Sequence, residues 1–293
     1  MATLLATAAC GGARTSGAAH LQSSTTLAAT TSVTTATTTT SSTVPAIAST
    51  TSLAAPTTAQ AATTTTAQRV QTTIAAPVST TAAACTATPA NQMKATGGGS
   101  QLVTVVASST AATTAVVTLW QRTGTCWTVA GGPWSGWVGL HGLSSDKIEG
   151  DGTSPIGLFG IGSTFYGIDP NPGVHGSYHV LVCGDWWDEE PSSPEYNTFQ
   201  HVGSCSTENP FGGGSEALWT EAPAYDYFAV IEYNASPVVP GRGSAIFLHV
   251  SLGRPTNGCV SLPSSDLIAL LQWLQPGAGP HIAIGTTGDI DAY

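Results

Sequence analysis

The chain has 293 residues, of which only 8% are charged; 7 Lys and Arg stand against 17 Asp and Glu, for a formal net charge of −10. Such a balance excludes a nucleic-acid binder, which needs a basic face against phosphates, and gives no attraction to anionic lipid head groups. Mean hydropathy is positive, but it comes from Ala and Val scattered among Thr, and no run of about 18 apolar residues marks a membrane span.

Residues 1–10 place small side chains before Cys10 and resemble the end of a bacterial lipoprotein signal, truncated so that its start is expected upstream of Met1. A lipid anchor at Cys10 is the membrane contact this implies. Residues 11–84 are Thr, Ala and Ser with scattered Pro, and no Phe, Trp or Tyr precedes Trp120. So little bulky apolar surface cannot offset chain entropy, which predicts a disordered linker or stalk. The folded domain is expected over 85–293, with its core at about 145–285.

Within that domain the β-branched runs Leu102–Ala107 and Ala115–Trp120 read as strands. Cys126–Val129 and Trp134–Leu140 continue the pattern, divided by Gly131, Gly132 and Pro133. Tyr178–Val182, Tyr227–Tyr233 and Ala245–Val250 follow. One segment is helical in character: Leu267–Leu274, preceded by Pro263 and stopped by Pro276 and Gly277. His281–Gly285 returns to strand. The predicted class is therefore mainly β, a sandwich or barrel with one late helix.

The six cysteines suggest an oxidising compartment, and no C-x-x-C pair points to structural zinc. One partition joins Cys85 to Cys126 and Cys183 to Cys205 and leaves Cys10 and Cys259 as thiols, although sequence does not fix connectivity. The second bridge would close a loop of about 20 residues, worth roughly 3 kcal/mol by chain entropy.

Chemistry concentrates in residues 243–263. A hydrophobic strand delivers His249 near its end, a Gly/Pro loop turns back, and Cys259 follows Gly258. A thiol needs a nearby imidazole to take its proton before it can act as a nucleophile. Gly258 would let a carbonyl substrate approach the backbone, and N–H groups beside Cys259 could stabilise an oxyanion. Spacing alone leaves a buried structural Cys and an ordinary His as the commoner reading.

The segment resembles the catalytic signature of the YkuD family of L,D-transpeptidases, a strand-end His followed by [Ser/Thr]-x-Gly-Cys-aliphatic, here Thr256-Asn257-Gly258-Cys259-Val260. The stretch Glu149 to Gly162 resembles the family's Thr-Pro-x-Gly element. Trp186 and Trp187, Ser193–Asn197, Glu216–Trp219 and Tyr233-Asn234 are similar to features of its secreted members. The resemblance implies a YkuD-like β domain in which Cys259 is the nucleophile, His249 the base, and Gly258 part of the catalytic loop. Thr256, Asn257, Ser261 and Tyr233 would hold substrate. Asn257 stands where the family commonly has His, and Ser261 where it often has Arg or Asn.

The implied reaction is acyl transfer on peptidoglycan stem peptides through a thioester, with no metal and no cofactor, in the cell wall or envelope outside the cytoplasm. Carbapenems would be covalent inhibitors. An L,D-carboxypeptidase of the same fold and a non-catalytic wall-binding lipoprotein are the alternatives. The alternating Asp146, Glu149 and Asp151 lack the full ligand pattern of a calcium loop and read as a solvated turn. Asp185–Glu190 could line a groove for an amine-bearing substrate. A Trp pair packed under a polar rim is the preferred reading there.

Overall fold

The computed structural model describes residues 84–293. The signal-like segment, Cys10 and the linker up to residue 83 lie outside the described residues. The elements run α1 (Pro89–Gln92), β1 (Gln101–Ala107), β2 (Thr114–Thr123), β3 (Cys126–Trp137), β4 (Leu143–Ser144) and β5 (Ser154–Pro155). Next come β6 (Gly157–Gly167), β7 (Ser177–Val180), β8 (Asp185–Asp188), β9 (Thr198–His201) and β10 (Glu216–Ala217). The chain ends with β11 (Phe228–Ile231), β12 (Phe247–Val250), β13 (Val260–Leu262), α2 (Ser264–Trp273) and β14 (His281–Thr286).

Nine strands form one mixed sheet in the order β11-β12-β13-β3-β2-β1-β14-β6-β7, and β11 also pairs with β6. That extra pairing closes the sheet into a barrel, with β7 attached outside the ring. The fold is thus mainly β with one long helix near the C-terminus, as the strand pattern predicts. Side chains alternate along each strand, so one set fills the barrel. Val103, Val105, Val117, Leu119, Leu248, Val260 and Leu262 belong to that core, and Leu267, Leu270, Leu271 and Leu274 at the end of the chain pack into it. A smaller sheet, ordered β10-β8-β9, is built from the long excursion between β7 and β11.

Two strand boundaries differ from the sequence reading. β3 runs unbroken through Gly131, Gly132 and Pro133, because β2 opposite accommodates them with register shifts between Val117 and Trp120. β6 carries too few β-branched residues to read as a strand. Its glycines admit close neighbours instead: a Cβ on Gly167 would lie 2.0 Å from the Tyr178 hydroxyl. Cys85 is bonded to Cys126 and Cys183 to Cys205, with Cα separations of 5.4 and 4.8 Å.

Candidate active site

β12 and β13 run parallel and in register, Leu248 opposite Val260 and His249 opposite Ser261. Alternation sends Leu248, Val250, Val260 and Leu262 into the barrel. It sends Phe247, His249, Cys259 and Ser261 to the outer face. There Phe247 and Cys259 join a second apolar cluster with Leu181, Trp187, Leu218 and Tyr225 from the excursion that carries the small sheet. Cys259 and His249 are 0% and 1% exposed, so the site is closed as it stands.

His249 Nδ1 lies 2.8 Å from the Val250 carbonyl oxygen. A carbonyl can only accept, so Nδ1 carries the proton and Nε2 presents a lone pair. Nε2 is buried with no hydrogen-bond partner. Burial lowers the imidazole pKa to about 4, so the ring is neutral at pH 7 and, enclosed in this way, a weak base. The Tyr225 ring packs edge-on against it, 5.7 Å between centroids.

The Cys259 sulfur accepts from the Phe247 N–H at 3.3 Å and sits 3.2 Å from the Ala245 carbonyl oxygen. Ala245 holds a left-handed φ of 51°, costly for a residue with a Cβ. The thiol expected at Cys259 is not what the structure holds. Cys259 is disulfide-bonded, and no cysteine among the described residues is a free thiol. Any nucleophilic role therefore begins with its reduction.

The loop before the cysteine is stapled from two sides. Thr256 Oγ1 donates to the Cys259 carbonyl at 2.6 Å and accepts from the Gly258 N–H at 3.2 Å. Ser154 Oγ donates to the Gly258 carbonyl at 2.7 Å and accepts from the Gly139 N–H at 2.9 Å. Gly258 has φ of 135°, and a Cβ there would lie 2.8 Å from the Thr153 carbonyl and 3.3 Å from Lys147 Nζ. What presses against Gly258 is therefore the 147–154 segment.

Lys147 is buried at 3% exposure and bonds Asp151 Oδ1 at 2.8 Å. Burial works to raise the Asp151 pKa, but the Lys147 bond and the N–H groups of Thr153 and Ile148 outweigh it and hold it low. Asp151 is thus a structural partner of a buried ammonium, not the solvated turn residue read from sequence.

The structure brings His249, Thr256, Gly258, Cys259 and Ser261 together. Ser261 is fully buried, its hydroxyl without a partner. Tyr233 stands apart: its hydroxyl donates to the Arg242 carbonyl at 2.6 Å and its ring packs on Phe159. Sequence reasoning did not single out Lys147, Ser154 or Tyr225. Only the stretch Glu149 to Gly162 touched on one of them, Ser154.

A barrel whose outer face sets a cysteine and a neutral histidine on adjacent strands is a scaffold suited to acyl transfer through sulfur. The profile of the YkuD family, the L,D-transpeptidase catalytic domain, matches residues 103–284. No curated protein and no solved structure matches the chain. The match covers more than half of the sequence, and the chain belongs to the YkuD family of L,D-transpeptidase catalytic domains.

Proposed function

We propose that the protein is a peptidoglycan L,D-transpeptidase working outside the cytoplasm, with Cys259 as nucleophile and His249 as base. The observation that carries this is the unpartnered Nε2 of His249 on the same sheet face as Cys259, two positions from its register partner Ser261. Nε2 would take the thiol proton as sulfur attacks the carbonyl of the third residue of a stem tetrapeptide. It would then return that proton to the departing terminal amine. The thioester is resolved by the side-chain amine of a second stem, or by water in a carboxypeptidase. Gly258 and Thr256 shape the loop that presents the sulfur, and Asn257 and Ser261 flank it. Substrate entry requires the cover of Trp187, Leu218 and Tyr225 to part. Once Cys259 is a thiol, a lipidated Cys10 would tether the domain beneath the wall.

The test is intact mass of the full chain, reduced and then incubated with a carbapenem, with Cys259→Ala as control. One adduct per chain, absent from the variant, supports the thioester chemistry, and muropeptide products then separate transfer from hydrolysis. A second reading, a non-catalytic wall-binding module, is favoured by the disulfide-bonded state of Cys259. Absence of any adduct on reduced, folded protein would put that reading first.

A further inference from the structure

Lys147 is the one buried Lys or Arg among the described residues. Burying an ammonium is costly unless it is paired. Asp151 supplies the partner: its Oδ1 accepts from Lys147 Nζ at 2.8 Å, and the carboxylate is itself held by the N–H groups of Ile148 and Thr153. Two glycines set where the lysine stem runs. A Cβ on Gly243 would lie 2.8 Å from Lys147 Cε, and a Cβ on Gly258 would lie 3.3 Å from Nζ. Both glycines hold left-handed φ, 102° and 135°, so a side chain at either would be strained and would also crowd the lysine. Gly243 stands two residues before Ala245, whose carbonyl oxygen is 3.2 Å from the Cys259 sulfur, and Gly258 immediately precedes Cys259. Lys147 therefore threads between the two backbone segments that meet at the sulfur.

A nucleophilic sulfur needs positive charge at this place. His249, neutral while enclosed, offers none, and the apolar cluster around Cys259 works against a thiolate. The other ionisable groups packed on this corner are Tyr225 and, beyond it, the carboxyls of Glu149, Glu189 and Glu216. None of them favours negative charge on sulfur. We propose that Lys147 is a positioning residue for the Cys259 chemistry: its ammonium, anchored on Asp151 and threaded between Gly243 and Gly258, keeps a positive charge against the loop that presents the sulfur and makes the reduced thiol more acidic than an ordinary one. An ammonium acts in this way because it stabilises the thiolate and not the thiol. The Phe247 N–H, 3.3 Å from the sulfur, adds a donor of the same sign. His249 Nε2 then takes a proton that the sulfur holds loosely, which a weak base can do. The inference rests on the reading of Cys259 as nucleophile and adds the group that activates it.

The test is the pH midpoint of iodoacetamide alkylation of the full chain after reduction, read at Cys259 by peptide mass. The unmodified chain should show a midpoint below the roughly 8.5 of an ordinary thiol. Lys147→Met keeps the length of the stem and removes the charge; it should raise the midpoint by about one pH unit or more. Asp151→Asn removes the opposing charge and keeps the ammonium, so it should lower the midpoint. A pair that merely staples the loop would move both variants in the same direction. Shifts in the same direction, no shift in either variant, or an unmodified midpoint at or above about 8.5 overturns the proposal. That last measurement needs no variant to fold. Carbapenem incubation of the same samples keeps the two readings apart. An adduct at Cys259 with midpoints that move together sinks only the role of Lys147, and opposite shifts without an adduct sink only the transpeptidase reading.

Discussion

The barrel and the small sheet are built on different physics, and the candidate active site lies where they meet. Inside the barrel, Leu248, Val250, Val260 and Leu262 are all but sealed from solvent and bring no polar side-chain atom that needs a partner. The small sheet instead buries carboxylates. Asp185 is fully enclosed yet accepts from His179, His201 and the Val182 N–H, each within 2.8 Å. Asp188 is likewise enclosed, and Ser193 and the Glu190 N–H satisfy it. Apolar burial carries the first region and hydrogen-bond completeness the second. That completeness has gaps in the small sheet itself and on the outer face of β12 and β13. The four buried side-chain atoms left without a partner among the described residues are Trp186 Nε1, Glu189 Oε1, His249 Nε2 and Ser261 Oγ. Two belong to the small sheet's side and two to the outer face of β12 and β13. Each such atom costs about 1–3 kcal/mol. A site that must receive polar reactants is the place where that cost has a use.

The largest effect should come from breaking the joint itself. Phe247 packs on Trp187 of the small sheet at 4.9 Å and on Phe228 of the barrel at 4.8 Å, and its N–H meets the Cys259 sulfur. Phe247→Ala should lower unfolding free energy by about 3–5 kcal/mol, read from urea melts. A loss below about 1 kcal/mol would mean the two regions stand independently.

Acid and base should weaken the two regions in opposite directions. His249 has a folded pKa of about 4, below the 6.5 of an unfolded imidazole. The unfolded chain therefore binds the extra proton first, and stability falls as pH drops from 6.5 towards 4, by about 3 kcal/mol in total. Glu189 works the other way. Its folded pKa is raised, so the unfolded chain loses the proton first and stability falls as pH rises above its ordinary value. Urea midpoints of His249→Gln should lose the acid-side decline. Those of Glu189→Gln should gain on wild type as pH rises above the ordinary carboxyl value of 4.5. A variant whose pH profile parallels wild type would remove that group from its assigned environment.

The same contrast explains what could be seen in the sequence. β1, β2, β11, β12 and β14 announce themselves by β-branched and aromatic runs, because apolar burial leaves a compositional trace. The small sheet does not, since β10 has only two residues and its buried Asp and Glu are residue types that usually sit in water. At the site, His249 and Cys259 were legible from a contiguous motif of strand, loop and Gly-Cys. Ser154 was not: it grips the Gly258 carbonyl across 104 residues of chain, a relation that no local pattern encodes. Glu189 stood inside a stretch whose carboxylates were noticed, but its burial and its orphaned oxygen are properties of packing alone.

The smallest effect concerns Ser261, which separates tolerance of an orphan from need of it. Its side chain is 0% exposed, its Oγ is unpartnered, and its backbone lies opposite His249. If the hydroxyl does nothing for the folded chain, Ser261→Ala removes a desolvated polar group and leaves a void smaller than a water molecule. Stability should then rise by about 1 kcal/mol or less, seen as a small upward shift of the urea midpoint. If the hydroxyl instead orients the imidazole, for example by donating to Nε2 when the site opens, the same change should lower stability and move the acid-side decline of His249 to a different pH. The sign of the midpoint shift therefore reports whether the outer face of β12 and β13 merely endures an unpaired serine or uses it to hold its base.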